Sequence, residues 1–180
     1  MGNRASEQIH AVYDSKDAGE LEVAYDGWAE KYEADVVGMG YRIPAVAAGL
    51  IGRQVPVDAE PLLDAGCGTG LLGHVLRDMG YGNITGLDAS NEMLAVAGRK
   101  SAYSALCHGR LGNVLDFLDD QFAATSAIGV FSPGHAEPDA FGELIRVTRP
   151  DGVIAFSIRH DTDGETGYAA GAEALETRGF

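Results

Sequence analysis

The stretch Leu62-Leu63-Asp64-Ala65-Gly66-Cys67-Gly68-Thr69-Gly70-Leu71-Leu72-Gly73 decides the fold. It begins as a short apolar run interrupted by one acid, the pattern of a buried strand. Glycines follow at 66, 68 and 70, and then Leu71, Leu72, Val75, Leu76 and Met79 recur at helical spacing. A strand that turns sharply into a helix needs residues without a Cβ at the turn. Gly66, Gly68 and Gly70 meet that need and let a ligand lie against bare backbone. The N–H groups that open the helix have no partners within it, so they attract anionic or polar ligand atoms.

Downstream the alternation continues. Gly80-Tyr81-Gly82-Asn83 is a turn, and Ile84 to Leu87 make a second strand. Ser90 is the natural N-cap of a helix carrying Met93, Leu94, Val96 and Ala97. A third strand is expected over 104–107 and a fourth over 125–131. Pro138 opens a helix with Phe141, Leu144 and Ile145 inward, Arg149-Pro150-Asp151-Gly152 is a turn, and 153–158 is a fifth strand. A last helix is expected over 166–177. Upstream, Leu21, Tyr25, Trp28, Tyr32 and Val36 form one helical stripe, and a second helix starts at Pro44. Residues 54–61 read as a linker. The pattern predicts an α/β protein: an N-terminal helical cap over 1–55 and a Rossmann-like, doubly wound parallel sheet over 56–180.

Composition agrees with a single domain. The chain has 180 residues, 46% of them hydrophobic and 22% charged, enough to build one core. No apolar run approaches the roughly 20 residues of a membrane-spanning helix, and the N-terminus lacks a basic-then-apolar leader, which points to the cytoplasm. Thirteen basic residues against 27 acidic ones give a net charge of −14, which argues against a nucleic-acid partner. Cys67 and Cys107 are too few for a disulfide framework, and no cluster has metal-ligand spacing.

Asp88 follows Gly70 by about 18 residues and ends the second strand, where a carboxylate can accept hydrogen bonds from both ribose hydroxyls of an adenine nucleoside. Two ligand classes fit this arrangement. Gly68-Thr69-Gly70-Leu71-Leu72-Gly73 matches the dinucleotide pattern GxGxxG, the mark of an NAD(P)-binding oxidoreductase. In that register Asp64-Ala65-Gly66 has no task. The other reading takes the whole of Asp64-Ala65-Gly66-Cys67-Gly68-Thr69-Gly70, which resembles the first motif of class I S-adenosylmethionine-dependent methyltransferases, an acid followed by GxGxG.

The resemblance extends over 25–180 and is closest to the small-molecule methyltransferases grouped with the Williams-Beuren-region methyltransferase-like proteins. Tyr25-Asp26-Gly27-Trp28-Ala29-Glu30-Lys31-Tyr32 with Gly40-Tyr41-Arg42-Ile43-Pro44 resembles that family's N-terminal cap. Asp88-Ala89-Ser90-Asn91-Glu92-Met93-Leu94 resembles its second motif. Gly129-Val130-Phe131-Ser132-Pro133-Gly134-His135 and Glu143 to Pro150 resemble its fourth motif and the segment after it.

The resemblance implies S-adenosylmethionine as cofactor and methyl transfer to a small-molecule acceptor. Gly66, Cys67 and Gly68 would line the methionine end and ribose through their backbone, and Asp64 would orient the loop or the ammonium group. Asp88 would hold the ribose diol, with Ala89, Ser90 and Met93 flanking the adenine. Gly129 would turn a carbonyl toward the ammonium group. Trp28, Tyr32 and Arg42 would close the cap over the methionine carboxylate or sulfonium, although Tyr25, Trp28 and Tyr32 also read as ordinary core. His135 is the candidate base for an OH or NH acceptor. A cofactor-binding protein without catalysis is the other class still open.

Two departures from the family stand out. Arg110 occupies the place after the third strand where the family has an acid near the adenine amino group, so that contact falls to the backbone around Leu111 or to Asn113. The sequence also ends where the family continues with two final strands. The Asn-Pro-Pro-Tyr motif of many nucleic-acid N-methyltransferases is missing, which with the negative charge favours a small acceptor.

Overall fold

A computed structural model of the protein describes residues 2–132, 135–158 and 168. Three helices open the chain: α1 Gly2–Tyr13, α2 Ala18–Gly38 and α3 Ile43–Gln54. Asp17 caps α2, its carboxylate accepting from the N–H groups of Gly19 and Glu20 at 2.8 and 2.9 Å. Pro44 stands in the first turn of α3, where its missing N–H costs nothing. The alternating part follows as β1 Leu62–Ala65, α4 Leu71–Asp78, β2 Ile84–Asp88, α5 Asn91–Gly98, β3 Ala105–His108 and β4 Phe122–Phe131. A short 3-10 turn, Pro138–Ala140, leads into α6 Phe141–Val147 and then β5 Thr148–Ile158.

The strands form one sheet in the order β3-β2-β1-β4-β5, and every pairing is parallel. The chain therefore winds outward from β1 to one edge, crosses back, and winds through β4 to the other. This is the doubly wound sheet that the sequence predicts. Its crevice opens beyond the C-terminal ends of β1 and β4, where the winding reverses.

Side chains alternate across the sheet and give it two apolar faces. Leu62, Ile84 and Ala124 pack with Ala48 and Ile51 of α3 and Leu72 and Leu76 of α4. On the other face Leu63, Ala65, Leu87 and Ala127 pack with Phe141, Leu144 and Val147 of α6. α2 runs across α5, tied by ion pairs from Glu30 and Glu33 to Arg99 and Lys100, the two residues that follow α5. Among the described residues no single helix is long and apolar enough to cross a membrane.

Three details differ from the sequence expectation. α1 is an additional helix. β4 begins at Phe122, three residues before the expected start at 125. The turn at 149–152 lies inside β5 as a bulge: Phe122 pairs with Thr148 and Ala124 with Val153, so a two-residue step of β4 faces a five-residue step of β5. A Cβ on Gly152 would stand 2.8 Å from the Ala123 carbonyl oxygen, which keeps this position small. The helix expected over 166–177 lies outside the described residues except for Tyr168, which is buried and donates through its hydroxyl to the Ala136 carbonyl at 2.8 Å.

Candidate functional site

The glycine turn leaves β1 with Gly66 at φ +74° and Gly68 at φ +53°, conformations that side-chain-bearing residues rarely adopt. A Cβ on Gly66 would lie 2.4 Å from Val130 Cγ2, whereas one on Gly68 would meet nothing within 4 Å. Gly68 thus presents bare backbone to open space. Gly73 has a different task, because Tyr103 ring atoms lie 2.2 Å from the place its Cβ would take. The last glycine of the GxGxxG match seats a half-buried tyrosine.

Tyr103 donates its hydroxyl to Asp64 Oδ2 at 2.8 Å, and Ser126 donates to Asp64 Oδ1 at 3.0 Å. Asp64 is 2% exposed at the foot of the turn. Burial raises its carboxyl to about 6, against the opposing pull of those two donors. Neither Tyr103 nor Ser126 is signalled by any motif.

Asp88 ends β2 and faces the turn. Its Oδ2 accepts from the Gly68 N–H at 2.8 Å and its Oδ1 from the Ser90 N–H at 2.9 Å, so one carboxylate ties the glycine turn to the start of α5. Burial raises its carboxyl, while those N–H bonds and the Arg110 charge pull it back. Ser90 accepts from the Met93 N–H at 3.0 Å as the α5 cap and donates to Asp26 of α2.

Around these groups lies a cavity of about 120 Å³ that brings together Gly66, Gly68, Asp88, Ala89, Ser90, Met93, Leu111, Gly129, His135 and Tyr32. Arg110 also lines it and reaches across to α2, donating to the Ala18 carbonyl at 2.9 Å and to Glu22 at 3.3 Å. Asp64 and Cys67 line a smaller adjoining cavity with Thr69 and Tyr32. Burial pushes the Cys67 thiol up, so it stays protonated.

Trp28 and Arg42 stand elsewhere. They line a third cavity of about 600 Å³, bounded by α1, α2, the start of α3 and the ends of β4 and β5. Trp28 is buried, donates to Asp35 Oδ2 at 2.9 Å, and meets Tyr32 edge-on at 4.9 Å. Tyr32 borders all three cavities. His135 and Gly129 border two, the site at the turn and the large cavity. The His135 Nε2 lies 2.8 Å from the Tyr25 hydroxyl and its Nδ1 3.0 Å from Ser132 Oγ. Burial holds the Tyr25 and Tyr32 hydroxyls protonated. Tyr25, legible only as one residue of an aromatic stripe, is thus in direct contact with the candidate base.

The turn fits a polar ligand. Thr69 Oγ1 is buried and has no hydrogen-bond partner among the described residues, beside the open backbone of Gly68. A crevice lined by bare backbone and polar groups, at the point where a doubly wound sheet reverses its winding, is the class that this geometry defines. The chain belongs to the methyltransferase domain family, which matches residues 63–156. It is 31% identical over 155 residues to human Methyltransferase-like protein 27, covering 84% of this chain and 63% of that protein. It is 37% identical over 139 residues to a malonyl-[acyl-carrier protein] O-methyltransferase of Pectobacterium atrosepticum, covering 76% and 49%. In fold it is similar to a methyltransferase solved in complex with the Haloferax volcanii Trm112 methyltransferase activator, with TM-score 0.67, 22% identity and coverage of 85% and 74%. The chain spans between about half and 63% of the length of these two curated relatives. Membership in the family implies S-adenosylmethionine as the cofactor.

Proposed function

We propose that the protein is an S-adenosylmethionine-dependent methyltransferase acting on a small molecule. The observation that carries this reading is the register of the glycine turn. Gly66 and Gly68 line the crevice, whereas Gly70, the glycine that the GxGxxG register puts against the ligand, packs on Tyr103 and Ala97, so the acid-GxGxG motif and not GxGxxG describes what faces the crevice. We further place the chain near the Williams-Beuren-region methyltransferase-like group. The support is its cap segment, which forms α2 and packs Tyr25 and Tyr32 beside the turn, with Trp28 edge-on behind Tyr32.

Each group then has a role that its position supports. Asp88 has a free lone pair on each oxygen beside the bonds it already accepts, and takes the ribose hydroxyls there. Ala89, Ser90, Met93 and Leu111 hold the adenine. The backbone of Gly66, Cys67 and Gly68 lies along the ribose and methionine end, with Asp64, the Thr69 hydroxyl and the Gly129 carbonyl toward the amino-acid group. When bound, S-adenosylmethionine supplies an electrophilic methyl group on a sulfonium. Tyr32, where the three cavities meet, offers that cation an aromatic ring, with Trp28 behind it. Helix α2 excludes water from the crevice, and His135 takes a proton at Nε2, directly or through the Tyr25 hydroxyl, when the acceptor is an OH or NH. Positioning of acceptor and methyl group supplies most of the acceleration in such a site.

Isothermal calorimetry tests the reading. S-adenosylhomocysteine is expected to bind and NAD to show no appreciable heat. Tighter binding of NAD than of S-adenosylhomocysteine overturns it.

A further inference from the structure

The large cavity has a chemical character of its own. Ile9 and Val12 of α1, Trp28 and Val36 of α2, and Phe131 and Ile158 at the strand ends give it apolar and aromatic walls. None of its described lining residues is Asp or Glu, in a chain that carries 27 of them. Arg42 is the only Lys or Arg on that described wall.

Most of the arginines that touch other elements are spoken for: Arg99, Arg110 and Arg146 each pair with a carboxylate. Arg42 makes no ion pair among the described residues, and its Nη1 donates only to the carbonyls of Tyr41 at 3.0 Å and Val37 at 3.4 Å. Beside it α3 starts at Ile43 without a side-chain cap, so the helix's first N–H groups add positive partial charge at the same place.

We propose that this cavity binds the methyl acceptor, and that the acceptor is an apolar molecule bearing a carboxylate. The carboxylate sits on Arg42, and the apolar body lies along Ile9, Val12 and Phe131 toward Tyr25 and His135. The proposal rests on the methyltransferase reading for the word acceptor, and on the cavity alone for the chemistry. A volume of about 600 Å³ suits a small organic molecule. A guanidinium matches a carboxylate with two parallel hydrogen bonds. In a chain of net charge −14, a cavity without described carboxylates is where an anion is least repelled. A cationic amine in the same place would face Arg42 and meet no carboxylate among the described lining residues.

The test compares 4-phenylbutyrate with 4-phenylbutylamine, one apolar body with opposite charges, by calorimetry on the full chain with and without S-adenosylhomocysteine. The acid is expected to bind at least tenfold more tightly than the amine. Arg42→Met is expected to erase that preference while leaving S-adenosylhomocysteine affinity within about twofold. Ile9→Trp, which fills the cavity, is expected to weaken the acid at least tenfold and again spare S-adenosylhomocysteine. Equal or tighter binding of the amine overturns the proposal. So does an Arg42→Met protein that keeps the preference and loses S-adenosylhomocysteine, because Arg42 then serves the cofactor. Acid preference without any S-adenosylhomocysteine binding overturns the methyltransferase reading and upholds the anion site.

Discussion

Asp64 is a carboxyl group sealed beneath the glycine turn, held by Tyr103 and Ser126. Burial sets its titration at about 6, above the roughly 3.9 of an unfolded aspartate. Between those values the folded protein holds a proton that the unfolded chain has lost. The stability Asp64 contributes is therefore full below about pH 4 and is lost as pH rises through about 6. Asp64→Asn cannot titrate, so the melting temperature of the wild type relative to this variant is expected to fall over that window. Parallel melting profiles would mean an ordinary carboxyl. Gly73 tests how closely the helix after the turn is packed. A Cβ there overlaps the Tyr103 ring, so Gly73→Ala is expected to cost about 1–3 kcal/mol of stability in urea unfolding and to leave S-adenosylhomocysteine affinity almost unchanged. A folded Gly73→Ala protein with lost affinity would put Gly73 against the ligand. The acid and the glycines were legible in the sequence because turn chemistry is local. Tyr103 and Ser126 were not, because a partner 39 or 62 residues away leaves no mark on spacing.

At the scale of elements, α2 carries the cap. Its inner side holds Leu21, Trp28 and Val36, and its outer contacts are polar: Glu30 and Glu33 to Arg99 and Lys100 just after α5, and Glu22 and the Ala18 carbonyl to Arg110. The exposed Arg99–Glu30 pair contributes roughly 0–1 kcal/mol, whereas the Lys100–Glu33 and Arg110–Glu22 pairs are half-buried, so these two pairs and the apolar contacts together set how firmly α2 is seated. Ligand packed under Tyr32 is expected to tighten that seat. Titration with S-adenosylhomocysteine should shift the emission of Trp28, the sole tryptophan, and slow amide exchange across residues 21–42. Calorimetric binding with both signals flat would make α2 a fixed wall. The α2 stripe was legible because five apolar residues fall on one helical side. In α1, Ile9 and Val12 alone are too sparse for a stripe, and that helix forms against α2. The β5 bulge was half legible: the turn residues are there, but pairing with β4 on either side of them depends on a strand far away in sequence.

The whole molecule converges on the crevice where the winding of the sheet reverses. The turn after β1, the tip of β2, the loop after β3, the end of β4 and α2 all contribute to the cavity around Asp88. A ligand there touches both halves of the sheet and α2, so global unfolding of the structure destroys its site. Binding free energy then appears in full as resistance to global unfolding. At one hundred times its dissociation constant a ligand that binds only the folded state stabilises it by about 2.7 kcal/mol. For a chain of this size that corresponds to a rise in melting temperature of roughly 5–10 °C. S-adenosylhomocysteine is expected to produce that rise in a thermal scan, growing with the logarithm of concentration, while NAD at the same concentrations leaves the midpoint in place. A rise confined to an early, low-temperature phase would show that the helices open separately from the sheet and that the crevice is not a unit. A rise with NAD alone would return the glycine turn to the dinucleotide register and leave Asp64 and Tyr103 as packing beneath it.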